Sequence, residues 1–386
     1  VTLTTAAANS TAVTINSNNS VTNAGTISTV NSNNTVGVRI APNVTGNFTS
    51  TGGLSLLEDY TPTDTDSDGD LDGPLAQGTN RIGLLVESGG TLNGNIILNG
   101  PTTVEGNNSF GVSVNSVLNG NYTQGGSVSL VGSNGVAVSL GENVTGDVRV
   151  TGAAIAQGEG SVGMRVLGDV AGEFMIGSTV AATGFTSAPG FSTVVTTNYV
   201  DPDELKAGDP TIAQRRDAED LLVGGGGLEI RGDLARGFLI NGNAVGGVDP
   251  TDDVKDVVQD YNENRSTGAI SSYGSAPAAL IQSLDGAAGD AILLSRVRES
   301  VQDTLDDDKD SNITEVIGTF NYDYGLINRG SITASGLNVG FAATGMKIAG
   351  SADGTHSTTI EGGIFNGGSI TAQAFEANAT ALLLGS

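Results

Sequence analysis

The sequence predicts an all-β protein, a parallel β-solenoid (β-helix) of roughly 26-residue coils with partly helical loop insertions. Three observations predict it. Gly94, Gly120, Gly146 and Gly172 fall 26 residues apart three times running, the mark of a repeat architecture. Each is preceded by a short alternating stretch, IGLLV (82–86), GVSV (111–114), GVAV (135–138) or GMRV (163–166), and followed by further strand-like pieces such as GDVRV and SVSLVG. Alternation of period two, bounded by Gly and Asn, is the strand signal. Composition agrees: 58 of 386 residues are glycine and 9 are proline, and Thr, Ser, Asn and Val stand where helix formers would have to be.

Three short strands and three turns fill one coil. One inward column is expected to hold Val38, Leu84, Val112, Val136, Met164 and Leu228, with Ile40, Val86, Val114, Val138, Val166 and Ile230 beside it. Each coil then buries its apolar face on the next, so stability comes from stacked neighbours. A helix-covered α/β sheet would need near-continuous apolar strands and long crossover helices instead. A second phrase, TNAGTIS (22–28), INRGSIT (327–333) and FNGGSIT (365–371), recurs at both ends of the chain. It places Ser386 partway through a coil, and further protein is expected after it.

The phase survives interruption, which separates insertions from coils. Gly46 to Gly94 is 48 residues, and the surplus coincides with the acidic stretch at about 58–80. GLEIRGDLARGFLI (227–240) matches VGMRVLGDVAGEFMI at an offset of 64, which puts another insertion at about 185–223. Two more are expected at about 249–268 and 295–316. In DPTDDVKDVVQDY, Asp249 can cap a helix, Pro250 suits its first position, and Val254, Val257, Val258 and Tyr261 recur at helical spacing. TIAQRRDAEDLL (211–222) is a second helical candidate. Residues 290–305 join a strand-like AILL to a helix-like RVRESVQDTL. Insertions of a solenoid commonly share a face and carry the binding function.

Forty-two acidic residues face sixteen basic ones, a net charge of −26. Such a polyanion repels phosphate backbones, so nucleic acid is excluded as a partner, while cations and cationic surfaces suit it. With no cysteine there is no disulfide framework and no thiolate metal site. No apolar run approaches the ~18 residues of a helical membrane span.

The acidic stretch holds the best candidate site. In DTDSDGDLD (64–72), Asp64, Asp66 and Asp68 with Gly69 follow the opening of calcium loops, where alternating carboxylates close on one hard cation and glycine permits the sharp turn. Leu75 stands where the bidentate Glu would be, so Asp70 or Asp72 must complete the shell. The other reading is a solvated acidic loop. DDDKDSN (306–312) offers Asp306, Asp308, Asp310 and Asn312 as a weaker calcium candidate without the glycine. No catalytic residue is expected. His356, the one histidine, sits in a turn-like DGTHSTT, and the run Gly224 to Gly227 lacks the Lys-Ser or Lys-Thr of a phosphate loop.

The phrases NSNNTVGVRI, TPTDTDSDGDLDGPLAQG, SYGSAPAALIQ and GLINRGSITASG resemble the passenger domains of autotransporter-domain outer-membrane proteins of alphaproteobacteria, sphingomonads in particular. The resemblance implies a β-solenoid exported by type V secretion and followed by a membrane-embedded C-terminal β-barrel not present in this chain. Residues 1–386 are then expected to be a single passenger fragment. Its expected role is a non-enzymatic bacterial cell-surface structural protein or adhesin, stabilised by calcium. It would sit on the outer membrane or outside the cell, and its partners would be other copies of itself or cell-surface and matrix components. The alternative is a polysaccharide-processing β-helix lyase or hydrolase, with a groove lined by carboxylates and an Arg or Lys.

Overall fold

The computed structural model describes residues 3–5, 8–63, 72–185, 219–242, 267–302 and 316–385. Three parallel sheets of ten, nine and ten strands run through these residues, a parallel β-solenoid as predicted. One coil shows the pattern. Val136–Leu140 belongs to the first sheet, Val148–Val150 to the second and Ala154–Gln157 to the third. Each pairs in parallel, 26 positions on, with Val162–Val166, Phe174–Ile176 and Thr179–Thr183. No described helix is long and apolar enough to cross a membrane.

The core is one cluster of buried aliphatic and aromatic side chains from Ile15 to Ile348, held between the three sheets. Register corrects the expected columns at one coil. The first column is Val38, Leu84, Val112, Val138, Met164 and Leu228; the second is Ile40, Val86, Val114, Leu140, Val166 and Ile230. Val136 instead pairs with Phe110 and Val162. Aligning GVAV by its glycine slips that coil by two residues, because Ala137, not Gly135, lies opposite Gly111. A two-residue slip keeps the same side chains inward, so the error is invisible to an alternation pattern.

A fourth, shorter ladder was not foreseen. Thr91–Asn93 pairs with Val117–Asn119, and single bridges continue it through Val144, Val170, Leu234 and Leu294. Its inward side chains, from Leu92 to Leu294, are at most 1% exposed. They close the corner between the first and second sheets.

The repeating glycines follow from this stacking. A Cβ on Gly146 would lie 2.6 Å from the Gly120 carbonyl oxygen, and one on Gly120 would collide with the carbonyl of Gly94. Only glycine lets successive turns approach so closely. Gly120→Val is expected to destabilise by about 1–3 kcal/mol in urea unfolding, whereas Gly53→Ala, whose Cβ meets nothing within 3.8 Å, should leave the midpoint unchanged. A silent Gly120→Val would refute the close-stacking account.

The asparagines belong to the turns. Asn9, Asn34, Asn80, Asn108 and Asn134 adopt left-handed φ of 51–58° at one corner, where the next coil has Gly160. At another corner Asn47 accepts from the backbone N–H of Asn95, Asn95 from Asn121, Asn121 from Asp147 and Asp147 from Glu173, each at 2.8 Å. In the NAGTIS and INRGSIT phrases, Asn23 and Asn328 accept from the N–H of Gly25 and Gly330 in the turn leading into the third sheet.

Two expectations about insertions change. Helix-like 298–302 is instead the strand Arg298–Gln302, paired antiparallel with Val316–Asn321. The hairpin buries apolar residues on a neighbouring sheet, and that packing outweighs local helix propensity. Within 211–222 the described part is a single 3₁₀ turn, Glu219–Leu221. The helix expected from Asp249 lies outside the described residues. The insertions also leave from different corners. Those at 58–80 and 185–223 interrupt the passage from third to first sheet, 249–268 the passage from second to third, and 295–316 the approach to the second.

Candidate functional site

The acidic insertion is rooted in a polar cleft of about 590 Å³ lined by Asn31, Asn33, Glu58, Asp59, Tyr60, Gln77, Gly78 and Arg81. Its floor is Arg81, just 2% exposed. The Arg81 side chain links three coils: Nε donates to the Ser32 carbonyl (2.7 Å), while Nη1 donates to the carbonyls of Leu57 (3.3 Å) and Glu105 (2.5 Å) and to Glu58 Oε1 (2.9 Å). Both partners of the Glu58 pair are buried, with side chains 2% and 5% exposed. A buried charge persists only when paired and hydrogen-bonded.

Glu58 is committed to structure. Its carboxylate also accepts from the backbone N–H of Gln77 (2.9 Å) and Gly78 (2.6 Å), so it clamps the returning end of the insertion to the departing one. Asn31 and Asp59 exchange two further hydrogen bonds, and Asn33 accepts from the N–H of Thr79. Higher up, an antiparallel bridge joins Thr63 to Asp72, with the Asp72 N–H donating to the Thr63 carbonyl at 3.1 Å. The loop bearing the calcium motif therefore leaves from a closed stem and a rigid root. Of its predicted ligands Asp72 sits in that stem; Asp64, Asp66, Asp68 and Asp70 lie outside the described residues. The weaker set, Asp306, Asp308, Asp310 and Asn312, lies outside them as well. Among the described residues no three His, Cys, Asp or Glu side chains converge as a metal site would need.

A cleft holding Glu58, Asp59 and Arg81 has the residue types of a polysaccharide-cleaving groove, yet Glu58 and Arg81 spend their hydrogen-bonding capacity on each other and on backbone. Asp59 is exposed and tied to Asn31. Neither carboxylate stands poised as a buried acid facing solvent.

His356 lies in the loop between the first sheet and the fourth ladder. Ser351 and Asp353 accompany it, so the three residue types of a hydrolytic triad meet. Their bonding differs from one. The imidazole Nε2 faces the Gly286 carbonyl at 2.9 Å, and Asp353 accepts from the hydroxyls of Ser351 and Thr355, both at 2.6 Å. Those hydroxyls, Ser351 first, hold the Asp353 carboxyl below the usual carboxylate range. The arrangement pins one loop to the Gly286 turn. Gly224 to Gly227 proves to be a stacking device: a Cβ on Gly227 would lie 2.6 Å from the Ser271 carbonyl.

Sequence reasoning missed Arg81 and Glu58. A signal existed in the cation at the end of the acidic 58–80 stretch, in a chain with sixteen cations. That it turns inward is a matter of three-dimensional placement. Compared with protein-family models, curated proteins and solved structures, the chain matches none of them.

Proposed function

We propose that this chain is a non-enzymatic structural module of a bacterial cell surface, a rod that attaches to surfaces or assembles with copies of itself, with calcium stiffening the 58–80 insertion. The observation that carries the reading is the outer face of the third sheet. Of its two outward rows, one carries Leu57, Glu105, Val131 and Gln157; the other, in register from coil to coil, is Ser28, Ser55, Thr103, Ser129, Ile155, Ala181 (5% exposed), Ser271, Thr333 and Thr371. This row is uncharged and short-chained, repeating at roughly 4.8 Å. Such a row can lie against another surface at little side-chain entropy cost. The net charge of −26 opposes lateral contact between copies, and divalent cations relieve that repulsion. Calcium held by Asp64, Asp66, Asp68, Asp70 and Asp72 acts in the same direction. Likeness to autotransporter passengers supplies the route: export through the outer membrane and attachment by a barrel that follows.

Sedimentation velocity of the purified chain, with and without millimolar calcium, tests the reading together with binding to bacterial cells and matrix proteins. Calcium-dependent association or surface binding is expected, weakened in Asp66→Asn/Asp68→Asn. A chain that stays monomeric in both conditions and binds neither cells nor matrix overturns it.

A further inference from the structure

The antiparallel pair Arg298–Gln302 and Val316–Asn321 lies outside the three parallel sheets. In the preceding coil four positions separate Leu234 from Phe238; here thirty-two separate Leu294 from Leu326, and the hairpin occupies the difference. It covers the outer face of the second sheet. The outward row of that sheet runs Arg149, Met175, Leu239, Ile327 and Phe365. Met175, Leu239 and Ile327 are 6%, 1% and 1% exposed and pack with Val297 and Tyr322 in a small cluster separate from the main core. Phe365, beyond the hairpin, is 38% exposed.

Charged groups gather beneath this cover, Glu173 and Glu299 buried and Arg329, Arg149 and Asp147 partly exposed. From the hairpin side come Glu299, 0% exposed, and Tyr322, whose hydroxyl donates to Glu299 Oε2 at 2.7 Å. From the sheet come Asp147, Arg149, Glu173 and Arg329. Arg149 pairs with Glu173 and with Asp147 and also donates to the Ser300 carbonyl of the hairpin. Arg329 lies 3.6 Å from Glu299 and over the Tyr322 ring. Among the described residues three carboxylates thus face two guanidiniums, one negative charge in excess. Asp147 keeps a quarter of its side chain in solvent, whereas Glu173 is 1% exposed and its Oε1 is buried without a hydrogen-bond partner. A protonated carboxyl tolerates such a setting far better than a carboxylate.

We propose that the hairpin is a proton-operated latch: an uncharged Glu173 lets it seat on the second sheet, and ionisation of Glu173 loosens it and bares Met175, Leu239 and Ile327. Burial, reinforced by Glu299 and Asp147, outweighs Arg149 and a backbone hydrogen bond from Ser300 of the hairpin, and pushes the Glu173 carboxyl up from 4.5 to about 7. A carboxyl raised on docking stabilises the docked form fully below its open-state value; that contribution falls as pH rises and is gone above about 7.

Hydrogen exchange of the full chain between about pH 5 and about pH 8, corrected for intrinsic exchange rates, tests the latch. The opening equilibrium of 298–302 and 316–321 is expected to rise by at least about tenfold up to pH 7 and then level off. Strand Val136–Leu140 should keep constant protection. Glu173→Gln should stay protected and lose the slope. A flat wild-type profile, or a slope that survives in Glu173→Gln, overturns the proposal. The chain has no tryptophan, so Phe320→Trp with Glu173 intact gives an independent readout: its emission must shift over the same pH range, and constancy rejects the latch even if Glu173→Gln fails to fold.

Discussion

Arg81→Met is expected to cost about 3–5 kcal/mol, because it leaves the Glu58 carboxylate buried without a counter-charge. Methionine fills the aliphatic volume but replaces none of the four acceptor contacts to Ser32, Leu57, Glu105 and Glu58. The loss should be felt first at the root of the 58–80 insertion, where Gln77 and Gly78 are tied through the same carboxylate. Proteolysis of native protein should open at that root, and urea unfolding should begin there. Adding Glu58→Leu removes the stranded charge, and the double variant should recover most of the stability. If Arg81→Met unfolds at the wild-type midpoint, the pair does not anchor the insertion.

Phe238→Ala should be comparably severe, about 3–5 kcal/mol, as the lost transfer energy adds to the cavity left behind. Phe238 is wholly buried and stacks on Phe174 of the preceding coil, ring centroids 5.2 Å apart and tilted by 60°. Its coil lies between two insertions, at 185–223 and 249–268, so it is joined to its neighbours mainly through the stacked columns. Calorimetry should show the loss as a lower midpoint, with Phe238→Leu intermediate. An alanine variant with the wild-type midpoint would show that this coil is held by its backbone ladder alone.

Much of this architecture was legible in the residues. Gly94, Gly120, Gly146 and Gly172 mark the period because each must approach the carbonyl of the turn before it, and a residue with a Cβ cannot. The alternation in GVSV or GMRV identified the inward side chains because a strand has only two faces. It could not resolve the slip between Val136 and Val138, since a shift of two residues leaves those faces unchanged. The fourth ladder escaped because it has a single inward residue per coil, such as Val144 or Val170, and one residue has no periodicity. Arg298–Gln302 misled because its composition suits a helix and only the apolar row of Met175, Leu239 and Ile327 makes it a strand.

The division between the two sources of knowledge has a physical cause. Coil length, strand faces and turn chemistry depend on steric rules that act between neighbours in the chain, and those the amino acids state by themselves. Which charges turn inward depends on what another coil presents across the gap. Arg81 meets Glu105 from the following coil, and Glu173 meets Glu299 more than a hundred positions later. Such meetings exist only once the coils have stacked, and the buried charges that root one insertion and govern the other belong to the tertiary structure alone.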